Sequence, residues 1–376
     1  MTVHVTATGW ARFGRRPDPL TLLAAEAAGG ALNALGRKPV DLLVVGNMLS
    51  GAVNSEENIV SRIANRIGLE TAAGLRLEAA SASGAAAFHA AVLAVESGRY
   101  ERALVVAAEK MTDRTTPEVA AALSRSLHST EQAVGATMPA LASLVSQRYA
   151  DRYDVDPVTF DRISVAARKT SVRNPHAQFQ TPVTLTDVQA SRPIALPLRL
   201  LHCSSICDGA VAVVVEKGEG PARVAGIGQA FEAMALIDRP DLSSFAATRV
   251  AAERAFRSAG LSPRDIGVAE LHDAFSPFLL IDLEDMGFAR PGTAPRWFAD
   301  RRAPPEGPAL NPSGGILGRG HPVGASGLAE IASLVEQLRG EAGRMAVDPR
   351  PRAGVAHSIG GMASHNFVTV LGGAPS

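Results

Sequence analysis

The sequence predicts a duplicated α/β fold, two similar halves that each pack helices on a sheet. Three observations carry this. Apolar runs of strand length alternate with alanine-rich helical stretches through the first part of the chain. A second series with the same alternation begins after residue 221. Ser81-Ala-Ser-Gly84 opens an alanine-rich helix in the first series, and Gly324-Ala-Ser-Gly327 opens one in the second.

In order, residues 41–48 predict a buried strand, 57–67 a helix, 75–79 a short strand, 83–97 a helix with Gly98 as its C-cap, and 102–110 a strand. Strand, helix, strand in this rhythm implies a parallel sheet with crossover helices. From Thr112 to Pro197 the texture changes. Charged helical segments at 131–153 and 157–169 precede a polar stretch of little periodicity, which predicts an insertion over about 112–200 lying on the core. Residues 209–216 resume as a strand, and Lys217-Gly-Glu-Gly-Pro221 marks the boundary between an N-terminal half, 1–220, and a C-terminal half, 221–376. The second series then runs strand 224–231, helix 244–259, strand 268–271, helix 324–339, and strands near Gly354 and Phe367.

Composition excludes several function classes. With 46% hydrophobic residues and only 5% aromatic, the chain suits helices packed closely on sheets. Its formal net charge is zero, so no global field favours nucleic acid or an anionic membrane. No apolar run approaches the roughly 18 residues a membrane span needs. The start, Met1-Thr-Val-His4, lacks the basic and apolar regions of a signal peptide. Two cysteines, Cys203 and Cys207, are too few for a disulfide framework and too few ligands for a metal site, so neither is expected. The expected setting is cytoplasmic and reducing.

Residues 311–327 read Asn-Pro-Ser-Gly-Gly-Ile-Leu-Gly-Arg-Gly-His-Pro-Val-Gly-Ala-Ser-Gly. A histidine sits in a glycine-rich turn just before a helix of small residues, where glycine lets backbone approach a ligand closely and the helix start offers N–H groups. The segment resembles the Gly-His-Pro signature of the thiolase superfamily. Three further segments extend the resemblance over nearly the whole chain: Glu78-Ala-Ala-Ser-Ala-Ser-Gly84, Leu271-His-Asp-Ala-Phe275 and Ala356-His-Ser-Ile-Gly-Gly361. It implies two α/β halves packed into five layers, αβαβα.

The resemblance assigns roles. It puts the family's nucleophilic cysteine where this chain has Ser81. A helix N-terminus stabilises a thiolate but does far less for a hydroxyl, which needs an adjacent base. Read on its own, Ser81 is also a natural N-cap. Leu271-His-Asp-Ala-Phe275 resembles the His-Asp-Cys-Phe pattern of the sterol-carrier-protein branch, with Ala274 in place of an acid/base cysteine, and His272 is left to donate to a thioester carbonyl. His321 would deprotonate the nucleophile and later hold an oxyanion. His357 falls where many members have an acid/base cysteine, and Gly360 and Gly361 follow as oxyanion-hole donors. Each histidine also has a purely structural reading, as a strand-end cap, a turn residue or a loop residue. Cys203 and Cys207 read as small apolar residues, and Cys203 as a substitute nucleophile is the minor alternative. Arg162, Arg168, Lys169, Arg173, Arg192 and Arg199 lie in or near the insertion, where thiolases hold the nucleotide, without singling out any one of them.

The expected activity is that of a thiolase-like acyltransferase, EC 2.3.1 in type. It would take a coenzyme A thioester as substrate, carry the acyl group on residue 81 and bind no covalent cofactor. Ser81 then represents either an introduced replacement of cysteine or a natural change of chemistry. Two alternatives are a CoA-ester lyase of the retro-aldolase kind and a degenerate acyl-CoA-binding scaffold. Tyr100, Tyr149 and Tyr153 are the only tyrosines and lie outside the four segments, against a tyrosine-dependent aldolase. The resemblance also implies a homodimer and, as in several compact relatives, a small OB-fold partner with a zinc ribbon.

Overall fold

The computed structural model describes residues 2–220, 222–299 and 307–372. Pro221 of the inferred boundary and the last four residues lie outside them.

The first half runs β1 (Val3–Gly14), α1 (Leu20–Ala34), β2 (Leu42–Gly46), α2 (Ile59–Ile67), β3 (Ala73–Leu77), α3 (Ser83–Glu96) and β4 (Arg102–Glu109). The insertion follows as α4 (Thr116–Ser124), α5 (Ser129–Ala133), α6 (Met138–Tyr153), α7 (Val158–Ser171), α8 (Leu185–Ala190) and a small hairpin, β5 (Pro193–Ala195) and β6 (Leu198–Arg199). β7 (Asp208–Lys217) returns to the first sheet. The second half runs β8 (Arg223–Phe231), α9 (Ala246–Ala259), β9 (Val268–Glu270), α10 (Ser276–Asp285), α11 (Arg296–Ala299), β10 (Ala309–Leu310), α12 (Gly315–Arg319), α13 (Val323–Arg339), β11 (Ala353–Gly360) and β12 (His365–Gly372).

The duplication is visible in the strand order. The first sheet is ordered β3-β2-β4-β7-β1 and the second β10-β9-β11-β12-β8, so strands counted within each half follow the same sequence, third, second, fourth, fifth, first. The two sheets meet edge to edge only between β1 and β8, at His4 and Arg223. Neither sheet is purely parallel, as the strand–helix rhythm had suggested. The fifth strand of each, β7 or β12, runs antiparallel to both neighbours. It follows its predecessor without a crossover helix on the same face, because the insertion intervenes in one half and a tight turn in the other.

Side-chain parity builds the layers. On β4, Leu104, Val106 and Ala108 pack with α1, while Ala103, Val105 and Ala107 pack with α3 and α13. Helices α3 and α13 form the middle layer, α3 apolar nearly all round and α13 buried with a polar stripe of Ser326, Glu330, Ser333 and Gln337. α9 covers the far face of the second sheet. The insertion corrects one expectation. It is not a cover on a finished core, since Tyr149, Phe160 and Ile163 belong to the same buried cluster as Phe245, Phe278 and Leu280. The single helix read at 131–153 is two, broken at Gly135 (φ +74°) and restarted by Thr137, whose side chain accepts from the Ala140 N–H. Helix α10 carries little periodic signal; it escaped the sequence reading, as did helix α1 and strand β1, although alternate residues of β1 from Val3 to Phe13 are apolar and buried. Among the described residues, no helix is long and apolar enough to cross a membrane.

Candidate active site

A cavity of about 840 Å³ opens between the insertion and the ends of the two central helices. Ser81, His272, His321 and Gly361 all line it. His357 and Gly360 do not.

Ser81 sits in the tight turn between β3 and α3. The turn is braced by Ser83, whose hydroxyl donates to the Ala80 carbonyl (2.6 Å) and accepts from the Ala79 N–H (3.0 Å). Ala80 takes the left-handed conformation, φ +50°, which an alanine adopts only when its surroundings impose it. The N-cap of α3 is Ala82, with no side-chain cap. Ser81 is therefore not a cap. Its half-buried hydroxyl makes no hydrogen bond to the described residues and faces the cavity. Gly84 is required here because a Cβ would lie 2.8 Å from the Gly324 carbonyl of α13.

His321 follows Gly320, whose φ of +104° and closeness to Cys207 Sγ and Gln178 exclude a side chain. The His321 Nδ1 lies 2.7 Å from Ser326 Oγ, and that hydroxyl donates in turn to the Pro322 carbonyl (3.3 Å). This chain of donors puts the proton on Nδ1 and leaves the Nε2 lone pair free at the cavity wall. Burial, with His272 and Arg319 nearby, holds the pKa well below the ordinary histidine value, so the ring is a neutral base.

His272 stands just beyond β9, its ring centroid 5.4 Å from that of His321 and nearly perpendicular. Asn311 clamps this loop, accepting from the Leu271 N–H (2.7 Å) and donating to the Leu271 carbonyl (3.1 Å). Asp273 accepts from the Ile316 N–H (2.5 Å) at the start of α12. Burial, then His357 and Arg319, bring His272 down to about 3, neutral as well. Its Nδ1 faces Glu330 Oε1 at 3.3 Å.

His357 departs from the role the resemblance gave it. It lies on β11 with its side chain turned to the outer helices, where Nδ1 meets Asp282 of α10 (3.4 Å) and Nε2 meets Thr248 of α9 and Asn366 (3.2 Å each). It is fully buried. Burial opposes its charge, but Asp282, Glu330 and Asn366 outweigh that and hold the pKa above the ordinary value. This is a structural ion pair one layer behind the cavity. The strand's next residue, Ser358, faces inward to Glu330 instead. A Cβ on Gly360 would strike the Ala79 carbonyl at 2.4 Å, so that glycine serves the packing of β11 on the Ser81 turn.

Several residues that the motifs did not single out complete the setting. Arg319 is fully buried, donating to Ser313 Oγ (2.9 Å) and lying 3.7 Å from Glu270. Glu109 accepts from the N–H groups of Met48, Leu49 and Gly324, tying the first half to the start of α13. Glu109 follows the apolar run of β4, the one signal that could have pointed to it, and no such run precedes Glu330. Cys203 is on the cavity wall rather than in the core, but burial pushes its thiol up to about 12, far from a thiolate. Tyr149 is committed to Glu284 (2.7 Å). Of the insertion's cations, Arg192 lines the cavity, joined by Arg15 and Arg114 from outside the expected set, all three exposed at its mouth.

Two neutral histidines, a free hydroxyl and a rim with Arg15, Arg114 and Arg192 beside Asp113 and Glu118 suit proton transfer beside a carbonyl on an anionic carrier. Comparison with known proteins agrees. The thiolase N-terminal domain model matches residues 5–194 and the thiolase C-terminal domain-like model residues 228–373. The acetyl-CoA acetyltransferase of Methanothermobacter thermautotrophicus is 39% identical, with 96% of each chain covered. The benzoylsuccinyl-CoA thiolase subunit BbsB of Thauera aromatica is 31% identical over 96% of this chain and 94% of that one. Among solved structures, the Ltp2-ChsH2(DUF35) aldolase superposes with a TM-score of 0.83 at 26% identity, over 99% of this chain and 98% of that one. With both halves matched, the same strand order in each and a site built where the halves meet, the chain belongs to the thiolase family.

Proposed function

We propose that the protein forms or breaks a carbon–carbon bond beside the carbonyl of an acyl-CoA thioester, with Ser81, His272 and His321 as its catalytic residues and Gly361 lining the oxyanion site. The observation that carries this is the convergence of one free hydroxyl and two neutral imidazoles on a single cavity. Arg15, Arg114 and Arg192 at the mouth support an anionic carrier such as coenzyme A.

In the acyltransferase reading, which the acetyl-CoA acetyltransferase relatives support, His321 Nε2 takes the Ser81 proton as Oγ attacks the thioester. The acyl group rests on Ser81 and the CoA thiolate leaves with that proton. A second reading is favoured by the unbonded Ser81 hydroxyl and the aldolase neighbour: a lyase in which His321 takes the β-hydroxyl proton of a hydroxyacyl-CoA and no acyl-enzyme forms. A scaffold role gains no support from two histidines with free cavity-facing nitrogens. Intact-mass spectrometry after incubation with acetyl-CoA separates the readings. An acetyl adduct lost in Ser81→Ala supports the first, and turnover of a 3-hydroxyacyl-CoA without an adduct the second. Failure to bind CoA or to turn over either substrate would sink both.

A cytoplasmic homodimer is part of the proposal, with the exposed edge strand β3 as its contact, and so is a small OB-fold partner. Sedimentation of the purified chain, alone and co-expressed with a candidate partner, tests both.

A further inference from the structure

The missing acid/base group at Ala274 leaves one proton unaccounted for. Carbon–carbon bond chemistry beside a thioester moves a proton at the α-carbon and another at the reacting partner. His321 serves one of them.

We propose that Glu330 and His272 form a buried acid/base dyad that exchanges the substrate's α-proton, taking the place of the absent cysteine. The proposal rests on the acyl-CoA reading of the cavity. Four observations support it. His272 lines the cavity. Its Nδ1 and Glu330 Oε1 face each other at 3.3 Å, off the straight hydrogen-bond line, and neither atom has another partner among the described residues. Glu330 is 1% exposed in the middle layer, where a carboxyl is costly to keep without a role even beside Ser326 and Ser333 of the same helix stripe. Its other oxygen accepts from Ser358 Oγ, which fixes the carboxylate's orientation.

The step balances as follows. The α-C–H bond breaks, its proton passes to His272 Nε2, and the electron pair moves to the thioester oxygen as an enolate. Glu330 offsets the charge of the imidazolium through Nδ1–H. Return of the proton, to the same carbon or to a product, closes the cycle.

The groups facing Glu330 are His272 beyond β9, Glu270 on β9, Asp273 in the following loop, Asp282 on α10, Arg319 on α12, and His357 and Ser358 on β11. Burial raises Glu330 to about 7, with Arg319, Ser358 and His357 pulling the other way. The dyad needs Glu330 ionised, so exchange should rise with pH through about 7 and level off above it. The histidines themselves add no limb there, because both are already neutral.

The test is hydrogen–deuterium exchange at the α-carbon of acetyl-CoA in D2O, followed by NMR, with CoA affinity measured on the same samples. The intact protein should exchange. Glu330→Gln, nearly isosteric, should slow exchange on the order of 100-fold or more and abolish the limb near pH 7, with CoA affinity unchanged. Glu330→Asp should recover part of the rate and the limb. Exchange by Glu330→Gln within threefold of the intact protein and with the same pH profile overturns the dyad, as does CoA binding without any exchange in the intact protein. Absence of CoA binding in the intact protein instead removes the acyl-CoA reading on which the dyad stands.

Discussion

Helix α3 begins at Ser81-Ala-Ser-Gly84 and α13 at Gly324-Ala-Ser-Gly327, and the two starts lie against each other in the middle layer. Their shared serine has the same job in both: Ser83 braces the turn that presents Ser81, and Ser326 braces the turn that presents His321. Their shared glycine lets the helices touch, Gly84 against Gly324 and Leu328, Gly327 against Ala85. The first position differs. Ser81 is open to the cavity, whereas the Gly324 N–H is taken by Glu109 of the other half (3.0 Å). Duplication thus supplied two presenting turns, and one changed residue with one long-range carboxylate made a single site from them. A negative charge is stabilised at a helix start. In α13 the protein's own Glu109 already occupies that place, and in α3 it is left for the substrate.

The comparison can be broken in stages. Ser81→Cys has the largest expected effect. If the α3 start is tuned for an anion on residue 81, a thiolate there should raise thiolysis or condensation by orders of magnitude. Equal low rates for both forms would mean the α3 start no longer serves covalent chemistry. His321→Ala removes what the α13 turn presents and should lower turnover by about 10²–10⁴-fold. A loss under about tenfold would shift the proton chemistry to His272.

His357→Ala should behave in the opposite way. It leaves Asp282 buried without its partner, so the melting transition should fall by an amount corresponding to about 3–5 kcal/mol. Turnover of the folded fraction should stay within about tenfold of the parent, against the loss seen for His321→Ala. Unchanged stability with lost turnover would return His357 to the catalytic set. Ser326→Ala is the mildest. It removes one hydrogen bond worth about 1 kcal/mol and frees the His321 ring, so turnover should drop by about tenfold with nearly the same melting temperature. If Ser326→Ala matched the parent in steady-state kinetics, the parallel between the two bracing serines would be a packing feature only.

The motifs made the histidine turn of α13 and the Ser81 turn of α3 legible, because glycines at fixed offsets from a helix start have few other uses. They did not reveal which way His357 points. All of β11, Ala353–Gly360, is buried on both faces, so no apolar–polar alternation marks the outward side. Glu330 was hidden differently: it shares a helical stripe with Ser326, Ser333 and Gln337, which reads as a solvated face although α13 is buried all round.

By itself the sequence determined the α/β class, the doubling of the fold, the family resemblance and the loops that carry Ser81, His272 and His321. These are local matters of period, turn chemistry and residue identity. The antiparallel fifth strands, the insertion's share of the core, the withdrawal of His357 to Asp282, the capping of α13 by Glu109 and the meeting of His272 with Glu330 were decided only by the tertiary structure. Each pairs residues far apart in sequence, and buried segments carry no periodic mark of the partner they will face.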